Sequence, residues 1–152
     1  MLHPFSRRHF LKGTALALGA FALNSFYGTA HAVPGNVLVA YFSWSGNTRG
    51  IAQLLHQKIG GELVEIEPST PYSEDYNTCL EQAKRDQERA ARPELKTHIA
   101  DMPRYDVVFL GYPNWWGDMP MAVYTFIEKH NWNGKTVVPF CTHEGSGLSG
   151  TE

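Results

Sequence analysis

Cysteine is scarce in this chain. Its 152 residues hold two, Cys79 and Cys141, with neither a C-x-x-C pair nor a Cys/His cluster. A structural zinc or an iron–sulfur site therefore finds no ligand set. Two unpaired thiols are expected, with a disulfide between them open in an oxidising compartment. Basic charge is also short, 13 Lys and Arg against 15 Asp and Glu, and a nucleic-acid binder would show the opposite balance. No apolar run reaches the length of about 20 residues that a bilayer span needs. Three catalytic signatures are missing as well. No lysine completes a G-x-x-x-x-G-K-[ST] triphosphate loop, and no G-x-S-x-G marks a hydrolase nucleophile. Cys141-Thr142-His143-Glu144-Gly145-Ser146-Gly147 has glycine where a cysteine phosphatase loop needs arginine to grip its anion.

What is present is a globular composition, 43% hydrophobic and 18% charged, of a length that suits one domain. The start of the chain reads separately. Ser6-Arg7-Arg8-His9-Phe10-Leu11-Lys12 is a twin-arginine stretch, residues 15–23 are a short apolar run, and Ala30-His31-Ala32 is an A-x-A cleavage pattern. Charged start, apolar middle and small-residue exit, in that order, predict an export signal over residues 1–32. The expected location is periplasmic or otherwise outside the cytoplasm, with no membrane span after cleavage. Residues 1–32 hold Arg7, Arg8 and Lys12 and no acidic residue, so residues 33–152 carry a net charge of −5. That balance suits a positively charged protein partner better than a nucleic acid.

Residues 33–152 alternate between two periodicities. Residues 37–42 are a continuous apolar run, the mark of a strand buried on both faces. Ile51, Leu54, Leu55 and Ile59 recur at helical spacing and stop at Gly60-Gly61, which predicts a helix over 49–59. Residues 62–67 read as an edge strand, 74–91 as a polar helix, 106–111 (DVVFLG) as a third strand, 119–130 as a helix and 135–140 (KTVVPF) as a fourth strand. Strands alternating with helices predict an α/β fold with a parallel sheet and helices on both faces. The loops after residues 42, 111 and 140 then share the edge at the carboxyl ends of the strands, where open α/β sheets bind ligands.

Each of those loops has chemistry. Ser43-Trp44-Ser45-Gly46-Asn47-Thr48 offers hydroxyl and amide donors at a helix amino terminus, where free N–H groups favour an anion. Without a lysine it suits one phosphate monoester better than a triphosphate. The plainer reading is that these residues only cap the helix. Tyr112-Pro113-Asn114-Trp115-Trp116-Gly117-Asp118 is a turn-rich, surface-like loop with two indoles, read as exposed and able to face a flat ligand. In the third loop, Thr142, His143, Glu144, Gly145 and Gly147 surround backbone amides that can meet the polar edge of a ring. Phosphate, flat ring and polar ring edge together describe flavin mononucleotide (FMN).

On these three motifs, in this order, residues 33–152 resemble the flavodoxin-like family along nearly their whole length. Residues 43–48 are similar to its phosphate loop, S-x-T-G-N-T, with Ser45 at the usual threonine. YDVVFLGYPNWWGDMP and GKTVVPFCTHEGSGLSG are similar to its flavin-flanking segments. The resemblance implies an open parallel sheet in the order 2-1-3-4 and FMN as cofactor. It implies that Ser43, Ser45, Gly46, Asn47 and Thr48, with Trp44 beside them, hold the phosphate. Pro113, Asn114, Trp115, Trp116 and Gly117 would line the ring, with Trp116 stacked on it, and Thr142 through Gly147 would flank its pyrimidine end. It also implies a fifth strand and a last helix that this sequence does not include, so the sequence is expected to be part of a longer protein. Electron transfer to a redox partner protein, or to a small acceptor such as a quinone, is the first expectation. The alternatives are an FMN-dependent quinone or NAD(P)H oxidoreductase and a flavin-free binding module. Nicotinamide donors are expected to be scarce outside the cytoplasm, which weighs against that donor.

Overall fold

The computed structural model describes residues 35–151, so the predicted export signal lies outside the described residues. Four strands form one parallel sheet: β1 (Val37–Tyr41), β2 (Glu62–Glu65), β3 (Val107–Pro113) and β4 (Thr136–Thr142), in the order β2-β1-β3-β4. Helices α1 (Asn47–Ile59), α2 (Tyr76–Glu88) and α3 (Met121–Glu128) make the crossovers. The central strand, β1, is buried along its whole length, as expected of an apolar strand covered on both faces.

The alternation of side chains along β1 and β3 divides the core into two layers. Val37, Val39 and Tyr41 face α1, where Ala52 meets them. Leu38, Ala40 and Phe42 join Val108, Leu110 and Tyr112 on the opposite face, against Ala122, Val123 and Phe126 of α3 and the segment holding Leu95, Ile99 and Met102. Helix α2 packs beside α3 on that same side. Register aligns the three strands so that Tyr41, Gly111 and Phe140 stand in one row.

Several boundaries differ from the predicted ones. Helix α1 begins at Asn47 instead of residue 49, because Gly46, at φ 91°, makes the left-handed bend that leads into the helix. Helix α2 is shorter than 74–91. Asp75 closes its start by accepting from the Thr78 amide at 2.9 Å, and Ala90 at φ 47° lies just beyond its end. Strands β3 and β4 run two residues further than predicted, since Tyr112↔Cys141 and Pro113↔Thr142 remain paired. Helix α3 starts at Met121, with Pro120 as its N-cap. Both cysteines are free thiols. Among the described residues no helix is long and apolar enough to cross a membrane.

Candidate functional site

The loops leaving β1, β3 and β4 open onto one cavity of about 1090 Å³, slightly beyond the usual range of about 300–1,000 Å³ for small-molecule and cofactor sites. From the first loop its wall takes Trp44, Ser45 and Asn47, from the second Pro113, Asn114, Trp115, Trp116 and Gly117, and from the third Thr142, His143 and Glu144. Asn47 and Trp116 therefore lie on the same cavity. Ser43, Gly46, Thr48, Gly145 and Gly147 do not line it.

Hydrogen bonds within and between the loops hold them in place. Ser43 Oγ accepts from the Gly46 amide (3.2 Å). Thr48, 1% exposed, shares a hydrogen bond of 2.8 Å with Thr142 and so ties the first loop to the third. Asn114 ties the second to the third: its amide donates to Thr142 O (2.8 Å) and its Nδ2 to Gly147 O (2.9 Å). Among the described residues no side chain caps α1, so its first-turn amides keep their donors free for an anion at the cavity. Among the described residues no lysine or arginine lines the wall. Arg49, in the same first turn, is turned away: Nε and Nη2 reach Glu65 at 3.1 and 2.6 Å, and Tyr41 donates to the same carboxylate. The guanidinium is held even more firmly protonated by that carboxylate, and burial followed by Glu65 pushes the Tyr41 hydroxyl up.

Two expected roles differ in the structure. Trp115 is not an exposed plate. It is half-buried and meets Phe42 and Tyr72 edge-on, at centroid distances of 5.3 and 5.1 Å, because the bridge Trp115↔Asp118 folds the loop back over the core. Trp116 alone of the pair is exposed, at 51%, with φ 53°. Its Nε1 donates to Leu80 O (3.2 Å), and Lys84 Nζ lies 5.4 Å from the ring centroid. In the third loop the Gly145 and Gly147 amides, expected to face a ring edge, instead donate to Nδ1 of His143 at 3.0 and 3.2 Å.

One wall went unrecognised in the sequence. Tyr76, Cys79, Leu80 and Ala83 of α2 close the cavity opposite the loops, and Ile51, Phe140, Cys141 and Ser146 complete it. Their spacing, 76-79/80-83, is helical and was the available signal; the polar residues between them obscured it. Trp44 Nε1 donates to Ser73 O (2.8 Å), so indoles from two different loops grip the approach to α2 and its second turn. Burial pushes both thiols, Cys79 and Cys141, above the usual range, so neither is an activated nucleophile.

The sequence profile of a family described as flavodoxin matches residues 36–152. The chain is similar to a protein from Bacteroides eggerthii assigned as a flavoprotein, with 41% identity and a TM-score of 0.70 over 77% of each chain. A second such protein, from Bacteroides uniformis, shares 33% identity at a TM-score of 0.69, over 75% of this chain and 76% of that one. A flavoprotein from Lactobacillus acidophilus, solved in complex with FMN, shares 28% identity at a TM-score of 0.65, over 73% of this chain and 76% of that one. No curated protein matches the sequence.

Proposed function

This chain belongs to the flavodoxin family, and on that premise we propose that it binds FMN between its three loops and serves as an electron-transfer protein. The observation that carries the proposal is a cavity shared by the three loops, which joins an uncapped helix amino terminus to an aromatic and apolar interior. The residues fit the cofactor chemically. Ser45, Asn47 and the first amides of α1 would hold the phosphate through dipoles alone, as the lysine-free wall requires. Trp116, Trp44 and Tyr76 offer aromatic surface for the tricyclic ring, and Thr142 to Ser146 flank its polar end. When bound, FMN supplies one- and two-electron redox chemistry. The chain orients the ring and shields it on the α2 side, within residues 33–152 of net charge −5. That acidity disfavours negative charge on the reduced ring, weakly once salt screens it.

Direct FMN titration of the purified chain, followed by flavin fluorescence and absorbance, tests the binding. Stoichiometric uptake with quenched emission is expected; a colourless protein that leaves flavin emission unchanged overturns the reading. The apolar α2 wall, built of Tyr76, Leu80 and Ala83 beside Cys79, favours a second reading in which a quinone-like acceptor is reduced within the same cavity. Saturable reoxidation of the chemically pre-reduced, FMN-loaded protein by a quinone, the two electrons passing from reduced flavin to quinone, lost in Leu80→Asp with FMN uptake intact, would support it over simple carriage to a redox protein.

The proposal includes export, on the strength of the twin-arginine stretch in residues 1–32. A reporter fused to residues 1–32 should leave the cytoplasm, and Arg7→Lys with Arg8→Lys should retain it there.

A further inference from the structure

His143 sits on the cavity wall, and its ring is not free to choose a tautomer. Backbone amides can only donate. Those of Gly145 and Gly147 both reach Nδ1, at 3.0 and 3.2 Å, so Nδ1 carries a lone pair. A neutral imidazole then carries its proton on Nε2. Among the described residues nothing bonds Nε2. The loop has thus turned two of its own glycine amides inward to orient an imidazole, and the ring nitrogen left for a ligand is a donor. We infer that His143 is a positioning donor for the bound group, with its Nε2–H directed to the carbonyl edge where negative charge gathers as a flavin is reduced.

This rests on the FMN reading above. It assigns to one side chain the role that the sequence suggested for the glycine amides, which the structure shows engaged elsewhere. Glu144, the neighbouring wall residue, cannot substitute, because an ionised carboxylate only accepts. A donor at an edge that becomes anionic is a charge-assisted hydrogen bond, stronger in the reduced than in the oxidised state. The chain would therefore bind reduced FMN more tightly, relative to oxidised FMN, than it would without His143.

Two isosteres separate the halves of the arrangement. His143→Asn puts a carbonyl oxygen near Nδ1 and keeps the acceptor for Gly145 and Gly147 while removing the distal N–H. His143→Gln keeps a distal N–H and gives up the acceptor. In the flavin-free, ¹⁵N-labelled wild type at pH 8, long-range ¹H–¹⁵N spectra should show an unprotonated Nδ1, with trans-hydrogen-bond N–N coupling to the Gly145 and Gly147 amides. An Nδ1–H tautomer, or no such coupling, overturns the inference whatever FMN does. In the FMN-loaded protein, His143→Asn should lower the reduced-to-oxidised affinity ratio about tenfold, equal to about 30 mV of two-electron potential. Amide protection at Gly145 and Gly147 should persist. His143→Gln should hold the ratio near wild type while that protection falls. An unchanged ratio in His143→Asn refutes the donor role. Failure of the wild type to take up FMN refutes the functional proposal and removes the donor's target, an outcome distinct from a wrong tautomer.

Discussion

Gly111→Ala is the substitution whose effect the structure fixes most tightly. Gly111 lies in the row Tyr41-Gly111-Phe140 across three strands, and the Phe140 ring folds over it. A Cβ built on Gly111 would fall 2.1 Å from Phe140 Cζ and 2.4 Å from Cε2, more than an ångström inside ordinary contact. The strand cannot yield on either side, since β1 and β4 are both bonded to β3. The phenyl ring must swing aside, and overpacking of this kind costs about 1–3 kcal/mol. With a urea slope of about 2 kcal/mol per molar, a loss of about 2 kcal/mol lowers the unfolding midpoint by about 1 M. Phe140→Ala alone should cost about 1–2 kcal/mol, below the 3–5 of a fully buried phenylalanine, because the ring is half-buried. The double variant should lie close to Phe140→Ala alone, so the two losses fall short of adding by about 1–3 kcal/mol. Additive losses in a urea double-mutant cycle would refute the idea that Gly111 is required by this ring. Phe140 also lines the cavity, so Gly111→Ala should weaken FMN uptake as well.

Thr48→Val should cost about 1 kcal/mol in urea unfolding and also reduce FMN affinity, since the Thr48–Thr142 bond joins two ligand loops; an affinity equal to wild type would separate that bond from the site. Arg92 holds the Glu128 carboxyl below its usual range through paired hydrogen bonds. A depressed carboxyl stabilises above its unfolded value and loses that contribution as pH falls through its folded value. The stability gap between wild type and Glu128→Gln, at most about 1 kcal/mol for so exposed a pair, should therefore be full at pH 7 and shrink as the pH falls below the ordinary glutamate range, and a pH-independent gap would contradict it. Alkylation with iodoacetamide should reach half-buried Cys141 before Cys79, which is 4% exposed, and FMN should slow both because both line the cavity; mass spectrometry of labelled peptides reads the order.

The sheet was legible because its signals are local. Val37 to Phe42 are apolar without interruption, and such a run has few alternatives in a chain that alternates strand and helix. The extensions of β3 and β4 were not legible. Tyr112, Pro113, Cys141 and Thr142 join the ladder through each other, and neither segment announces that pairing on its own. The first and third loops could be placed because strand ends point them to one edge. What their groups bond to could not. Whether the Gly147 amide faces a ligand or His143 depends on a turn only four residues wide, and composition is the same in both cases. The α2 wall was hidden for a different reason. Glu81, Gln82 and Lys84 make the helix read as solvated, while a cavity needs only a narrow strip of small and aromatic residues, and Cys79 and Ala83 carry little hydrophobic weight.

All four strands run parallel, and each pairing spans a long stretch of chain: Leu38 meets Glu62, Val107 meets Thr136, and Val37 meets Val107 seventy positions on. No hairpin can start this sheet. During synthesis β1 emerges first and must wait, with one apolar flank uncovered, until the ribosome has delivered β3. Non-local closure of this sort slows folding and prolongs the exposure of sticky intermediates. Nascent-chain arrest before residue 107 should leave β1 accessible to chaperones, and release beyond residue 113 should let the central pair zip shut.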